Sequence, residues 1–197
     1  MPSDSDLLKA MRHQGMLRTR EILGMGIHGQ QLRRWSEQGV VRQVSRGLYY
    51  LPDADLGDHR SLVEVCATVA NAVICLLSAL RFHGVGTQNP SAVWIALPKG
   101  QRPPRRSDLD LKVLRLLPGV HDRDVERRES PGGTIAVYSL ERTLVDCFRF
   151  RDQVGLDVFL EAMRQALREH RVSLDRIQAL AKLLRVAGPI RPYLEAI

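Results

Sequence analysis

The chain has 197 residues, 44% hydrophobic and 5% aromatic, with 29 Lys and Arg against 22 Asp and Glu, a formal charge of +7 and a pI near 9.8. This suits one domain, or a small module joined to a larger one, and the scarcity of aromatics favours helices over an all-β sandwich. The basic balance suits a polyanionic partner. Cys66, Cys75 and Cys147 form no C-x-x-C or H-x-x-x-H pattern, which excludes a zinc or disulfide framework and predicts three buried, reduced thiols in a cytoplasmic protein. The opening MPSDSDLLKAMRHQG has no apolar run, and the most apolar stretch, 62–80, is interrupted by Glu64 and Asn71. Neither a secretory leader nor a membrane span is expected.

In chain order, Ser3 or Ser5 can cap a first helix with Leu7, Leu8 and Met11 on its apolar stripe and Gly15 at its stop. Met16-Leu17 reads as a short extended piece. Thr19 is the expected N-cap of a second short helix, and Gly24-Met25-Gly26 the turn after it. A third helix is predicted over 29–39. At 100° per residue its Leu32 and Trp35 point one way, and Gln30, Arg33, Arg34 and Glu37 the other.

The next segment, 40–52, alternates apolar and polar residues, turns at Ser45-Arg46-Gly47 and resumes with β-favouring Leu48-Tyr49-Tyr50-Leu51. Three helices followed by a short hairpin with Arg at its tip is the winged helix-turn-helix layout. Residues 18–51 hold six arginines against two glutamates, so positive charge gathers on the helix and wing that would approach DNA. Gln30, Gln31, Arg33 and Arg34 are the expected base readers, because Arg pairs bidentately with guanine and Gln with adenine. Arg42, Ser45 and Arg46 would hold phosphates or probe the minor groove. Tyr49 and Tyr50 read as packing residues.

Residues 52–59, PDADLGDH, read as an acidic linker. Beyond it the pattern predicts a helix over 60–70, a strand at 73–75, a helix over 76–82, strands at 91–97, 111–116 and 134–138, then helices over 139–150, 155–169 and 173–185 and a short one after Pro189. The expected class is α+β: an N-terminal winged helix-turn-helix (1–52) followed by a mixed α/β domain (60–197), a small sheet covered by helices.

No phosphate loop and no G-x-S-x-G elbow occur. Asp108, Asp110 and Lys112 on one strand, with Glu64 upstream, resemble half of a metal-dependent nuclease site; the same residues also read as charges that keep an edge strand soluble. The basic stretch 99–106, with Lys99, Arg102, Arg105 and Arg106, reads either as a phosphate-tracking segment or as an exposed loop. His83 reads as a helix C-cap, and Ser78 has no recognisable base near it. The expectation is no catalytic site, no metal and no cofactor. A ligand-responsive regulator stays open as an alternative.

Several segments together resemble the AbiEi family of type IV antitoxins and related regulators. In the first module they are the helix-turn-helix, Gly39-Val40-Val41 and Arg46-Gly47-Leu48-Tyr49-Tyr50-Leu51-Pro52. Further on they are Leu77-Ser78-Ala79-Leu80 with His83-Gly84, then Val93-Trp94-Ile95-Ala96-Leu97-Pro98. The most specific is Val137-Tyr138-Ser139-Leu140-Glu141-Arg142-Thr143-Leu144-Val145-Asp146. The resemblance implies a protein that represses its own operon and whose larger domain acts as antitoxin against a nucleotidyltransferase-like toxin, without a stable complex. In that last block Ser139 can cap a helix on which Arg142 and Asp146, at i,i+4 spacing, are expected to be exposed or semi-buried. They either lock the helix to the preceding strand or, Arg142 foremost, form an effector surface. Operator DNA would be met by a monomer or by a dimer on inverted repeats.

Overall fold

The computed structural model describes residues 4–45, 47–102 and 109–197. It is α+β, with two compact units. One comprises residues up to Ala70 together with Arg127–Ile135; the other begins at Asn71 and includes Ala136–Ile197.

The first unit opens with α1 (Asp4–Gln14), β1 (Leu17–Arg18), α2 (Thr19–Gly24) and α3 (Gly29–Glu37). It continues with β2 (Arg42–Ser45), β3 (Leu48–Tyr50) and α4 (Arg60–Thr68). Asp4 and Asp6 favour the first turn of α1. The helix stops where Gly15 takes φ +71 and donates its N–H to Met11 O at 2.9 Å. A Cβ at Gly15 would lie 2.4 Å from Pro131 O, so this close backbone approach is open only to glycine. Next to it, Met16 N–H donates to Gly132 O at 2.9 Å.

The small sheet has the order β1-β3-β2 and is antiparallel, with Leu17 opposite Tyr49 and Arg42 opposite Tyr50. The register shifts between Gln43 and Ser45, a bulge that bends the hairpin just before its turn. The core beneath contains Met11, Leu17, Ile22, Ile27, Leu32, Trp35, Val41 and Leu51. Met11, Ile22, Leu32 and Trp35 come from the helices, whereas Ile27 and Leu51 come from irregular segments and Leu23 stays exposed. Tyr50 packs as expected, with the Arg60 guanidinium 5.1 Å from its ring centre.

The N-cap of α2 is Arg18, not Thr19. The Glu21 carboxylate accepts the Arg18 backbone N–H at 2.6 Å. Thr19 is instead committed to the wing: its N–H and hydroxyl both donate to Gly47 O, at 2.8 and 3.3 Å. Gly47 itself sits at φ +76, the left-handed region that a tight hairpin turn requires.

In the rest of the chain β4 (Val73–Ile74), α5 (Leu76–Phe82), β5 (Val93–Pro98), β6 (Leu111–Leu116) and α6 (Pro118–His121) come first. β7 (Val125–Ser130), β8 (Gly133–Tyr138), α7 (Leu140–Arg149), α8 (Arg151–Val154), α9 (Leu156–Arg168), α10 (Leu174–Leu183) and α11 (Ala187–Glu195) follow. The five-stranded sheet has the order β6-β5-β4-β8-β7; β5 and β6 run parallel, β4 is antiparallel to β5 and parallel to β8. Cys75, Leu80, Trp94, Tyr138, Leu144 and Phe148 share one core with Phe159, Ala162 and Ile177.

Four elements differ from the sequence reading, the first being the short α6, which no periodicity marks. β7, VERRES, is an edge strand whose charged residues show no apolar alternation. The helix expected over 139–150 is followed by a separate turn, α8, closed by Gly155 at φ +103. The last helix begins at Ala187, with Pro189 in its first turn, where its missing N–H costs nothing.

Candidate nucleic-acid interface

α3 has the layout its sequence predicts. Leu32 and Trp35 are buried, while Gln30, Arg33, Arg34 and Glu37 are exposed on the opposite face. Arg33 is 82% exposed, and its Nε donates to Glu37 Oε1 at 2.9 Å. That contact uses the inner edge of the guanidinium and leaves both Nη groups to pair with a base. Gln31 differs from its neighbours: it is half-buried and its Nε2 donates to Asp4 Oδ1 on α1 at 2.6 Å. It stands about 100° from Gln30, on the flank of the face.

On the hairpin, Arg42 is exposed at the start of β2. Ser45 is half-buried; its backbone oxygen accepts from Gln43 Nε2 at 3.1 Å, and its hydroxyl oxygen is buried with no hydrogen-bond partner among the described residues. Arg46 lies outside the described residues. Arg20, on the exposed side of α2, adds a further cation that sequence reasoning counted only in its charge balance. Among the described residues, Arg20, Arg33, Arg34 and Arg42 of this unit are exposed, as phosphate binding in solvent requires.

The second cluster singled out in the sequence takes a different form. Arg142 and Asp146 are both 0% exposed, so neither forms part of a surface and the expected effector contact through them is corrected. Arg142 Nε donates to Asp146 Oδ2 at 2.7 Å and Nη1 to Val120 O at 3.2 Å, and the guanidinium lies 4.6 Å from the Tyr138 ring centre. Arg149 adds a longer contact, Nη1 to Asp146 Oδ1 at 3.8 Å. Burial pushes the Asp146 carboxyl up and Arg142 opposes it. The i,i+4 spacing was legible; the inward direction was set by packing. Around the pair, Ser139 Oγ accepts the Arg142 backbone N–H at 3.3 Å, capping α7, and the Thr143 hydroxyl donates to Tyr138 O at 3.3 Å. The block fastens α7 to β8.

The Lys112 ammonium sits 4.7 Å from the Trp94 ring centre, directly across the β5–β6 ladder, in a cation–π contact. Asp110 is exposed, Asp108 lies outside the described residues, and Glu64 is buried on α4 in the first unit. Among the described residues no group of three or more His, Cys, Asp or Glu is placed to hold a metal. Ser78 Oγ accepts the Trp94 N–H at 2.9 Å. His83 is the C-cap of α5, and its Nε2 bonds Tyr138 O at 2.8 Å. Lys99 and Arg102 are exposed, whereas Arg105 and Arg106 lie outside the described residues. Cys75 and Cys147 are buried, but Cys66 is half-buried, correcting the expectation of three buried thiols.

Residues 7–52, from within α1 to the end of the hairpin, match the family described as transcriptional regulator, AbiEi antitoxin. Over these residues the chain is similar to that family. The match stops at Pro52, one residue past Leu51, the last buried core position of the winged helix. No curated protein matches the chain. Among solved structures, the RV2827C protein from Mycobacterium tuberculosis has a TM-score of 0.57 at 16% identity, over 90% of this chain and 70% of that one. At that identity the likeness is one of fold. No described helix is long and apolar enough to cross a membrane.

Proposed function

We propose that this protein is a transcriptional repressor that binds operator DNA near its own gene and regulates its own operon. The observation that carries the reading is the outer face of α3, where Gln30, Arg33 and Arg34 are exposed on a helix anchored by Leu32 and Trp35. These three read base edges in the major groove; Gln31 joins them on release from Asp4. Arg42, Ser45 and Arg46 hold phosphates or probe the minor groove. Residues 1–52 carry DNA recognition and residues 60–197 the effector role, as antitoxin to a nucleotidyltransferase-like toxin with which no stable complex forms. Both activities belong to the cytoplasm. One winged helix reads few base pairs, so two copies meet on an inverted repeat, as a dimer or as two monomers.

The test is fluorescence anisotropy on the upstream region of the gene against scrambled duplex at two salt concentrations. A preference of about a thousandfold or more supports a specific regulator. Arg33→Ala then costs about 1–3 kcal/mol on the operator alone, while Arg42→Ala weakens every duplex alike and flattens the salt slope by about one unit. Weak, sequence-blind binding that vanishes with salt overturns the reading. Co-expression with the neighbouring toxin gene tests the antitoxin role separately: growth arrest that the full chain does not relieve removes it.

A further inference from the structure

The sequence offers no hint of a ligand pocket, but α10 and α11 enclose one. Their shared groove has a volume of about 520 Å³. Its apolar lining includes Leu174, Ala181, Ile190 and Leu194. Ala181 and Ile190 are buried, whereas Leu174 remains 43% exposed at the lip. That puts apolar surface in water beside a concave space, the arrangement in which an apolar ligand gains most from binding.

Size and charge narrow the occupant. Small-molecule pockets of about 300–1,000 Å³ bracket this volume. Three charged side chains line the groove: Lys182, Arg191 and Glu195. Arg191 Nε donates to Glu195 Oε1 at 2.7 Å, so those two neutralise each other. Lys182 has no ion-pair partner among the described residues and leaves one uncompensated positive charge at an apolar wall. A second negative charge on the ligand would be desolvated with nothing to offset it.

We infer that the α10–α11 groove binds a small amphipathic monoanion, an aliphatic or aromatic carboxylate whose apolar body lies on Ile190 and Leu194 and whose head meets Lys182. The inference stands apart from DNA recognition and gives the chain a place to sense a metabolite.

The test uses the full chain with 1-anilinonaphthalene-8-sulfonate as fluorescent probe, and decanoate and decanol as competitors. One saturable probe site is expected, displaced by decanoate and not by decanol at equal concentration. Lys182→Gln weakens decanoate about tenfold, equivalent to about 1.4 kcal/mol. Gly188→Phe abolishes binding, because Gly188 lines the groove and a Cβ there meets nothing within 4 Å, leaving the space the ligand needs open to the new side chain. The inference is overturned if both variants bind the probe like the wild type, or if decanol competes as well as decanoate. Should either variant melt early, amide shifts of the wild-type chain on adding decanoate decide. Shifts confined to α10 and α11 support the site; shifts elsewhere overturn it.

Discussion

Asp146→Ala removes the only carboxylate within hydrogen-bond distance of the buried Arg142 guanidinium among the described residues. What remains is one bond to Val120 O and the Tyr138 face, neither of which neutralises a full charge in the core. Leaving a buried charge unpaired costs about 3–5 kcal/mol, a large share of the roughly 5–15 kcal/mol that holds a typical domain. At about 2–4 °C per kcal/mol for a chain of this size, melting should fall by roughly 6–20 °C. The two tryptophans fall one in each unit, Trp35 and Trp94. In a Trp35→Phe background, urea unfolding followed by Trp94 fluorescence therefore reports the unit that contains the pair. The double variant Asp146→Leu, Arg142→Met should recover much of the loss, since an apolar pair of similar volume needs no counter-charge. A cost of Asp146→Ala below about 1 kcal/mol, or a double variant whose loss equals the sum of those of Asp146→Leu and Arg142→Met made singly, would refute the account of a coupled buried pair.

Three further outcomes follow from the same structure. Trp35→Ala should cost about 3–5 kcal/mol and abolish operator binding, because α3 loses its largest anchor; urea melts and anisotropy check both effects. Ser139→Ala should cost about 0.5–2 kcal/mol through loss of the α7 cap, read as a lower urea midpoint at unchanged slope. In native protein at pH 8, Cys66 should react with iodoacetamide well before Cys75 and Cys147, whose thiols are buried and pushed up by that burial. Equal labelling of all three by mass spectrometry would contradict the packing described for Cys75 and Cys147.

The sequence determined the winged helix almost unaided. Leu32 and Trp35 are three apart, Gly15 and Gly47 mark the stops, and the hairpin alternates within a dozen residues, so each signal is local and each period has one solution. The outward set of Gln30, Arg33 and Arg34 follows from the same geometry, because burying one stripe of a helix exposes the other. Contacts between distant segments were not legible. Gln31 was drawn to Asp4, and Thr19 to Gly47, by approaches that no periodicity encodes. β7 was hidden because an edge strand needs no buried face, and its pairing belongs to the sheet. The α10–α11 groove exists only where two helices fail to fill the space between them. Arg142 and Asp146 show the division most clearly. Their spacing fixed that they would pair; the surrounding β8, α6 and α7 decided that they would do so with no water, which turns an ordinary surface contact into a buried constraint on the fold.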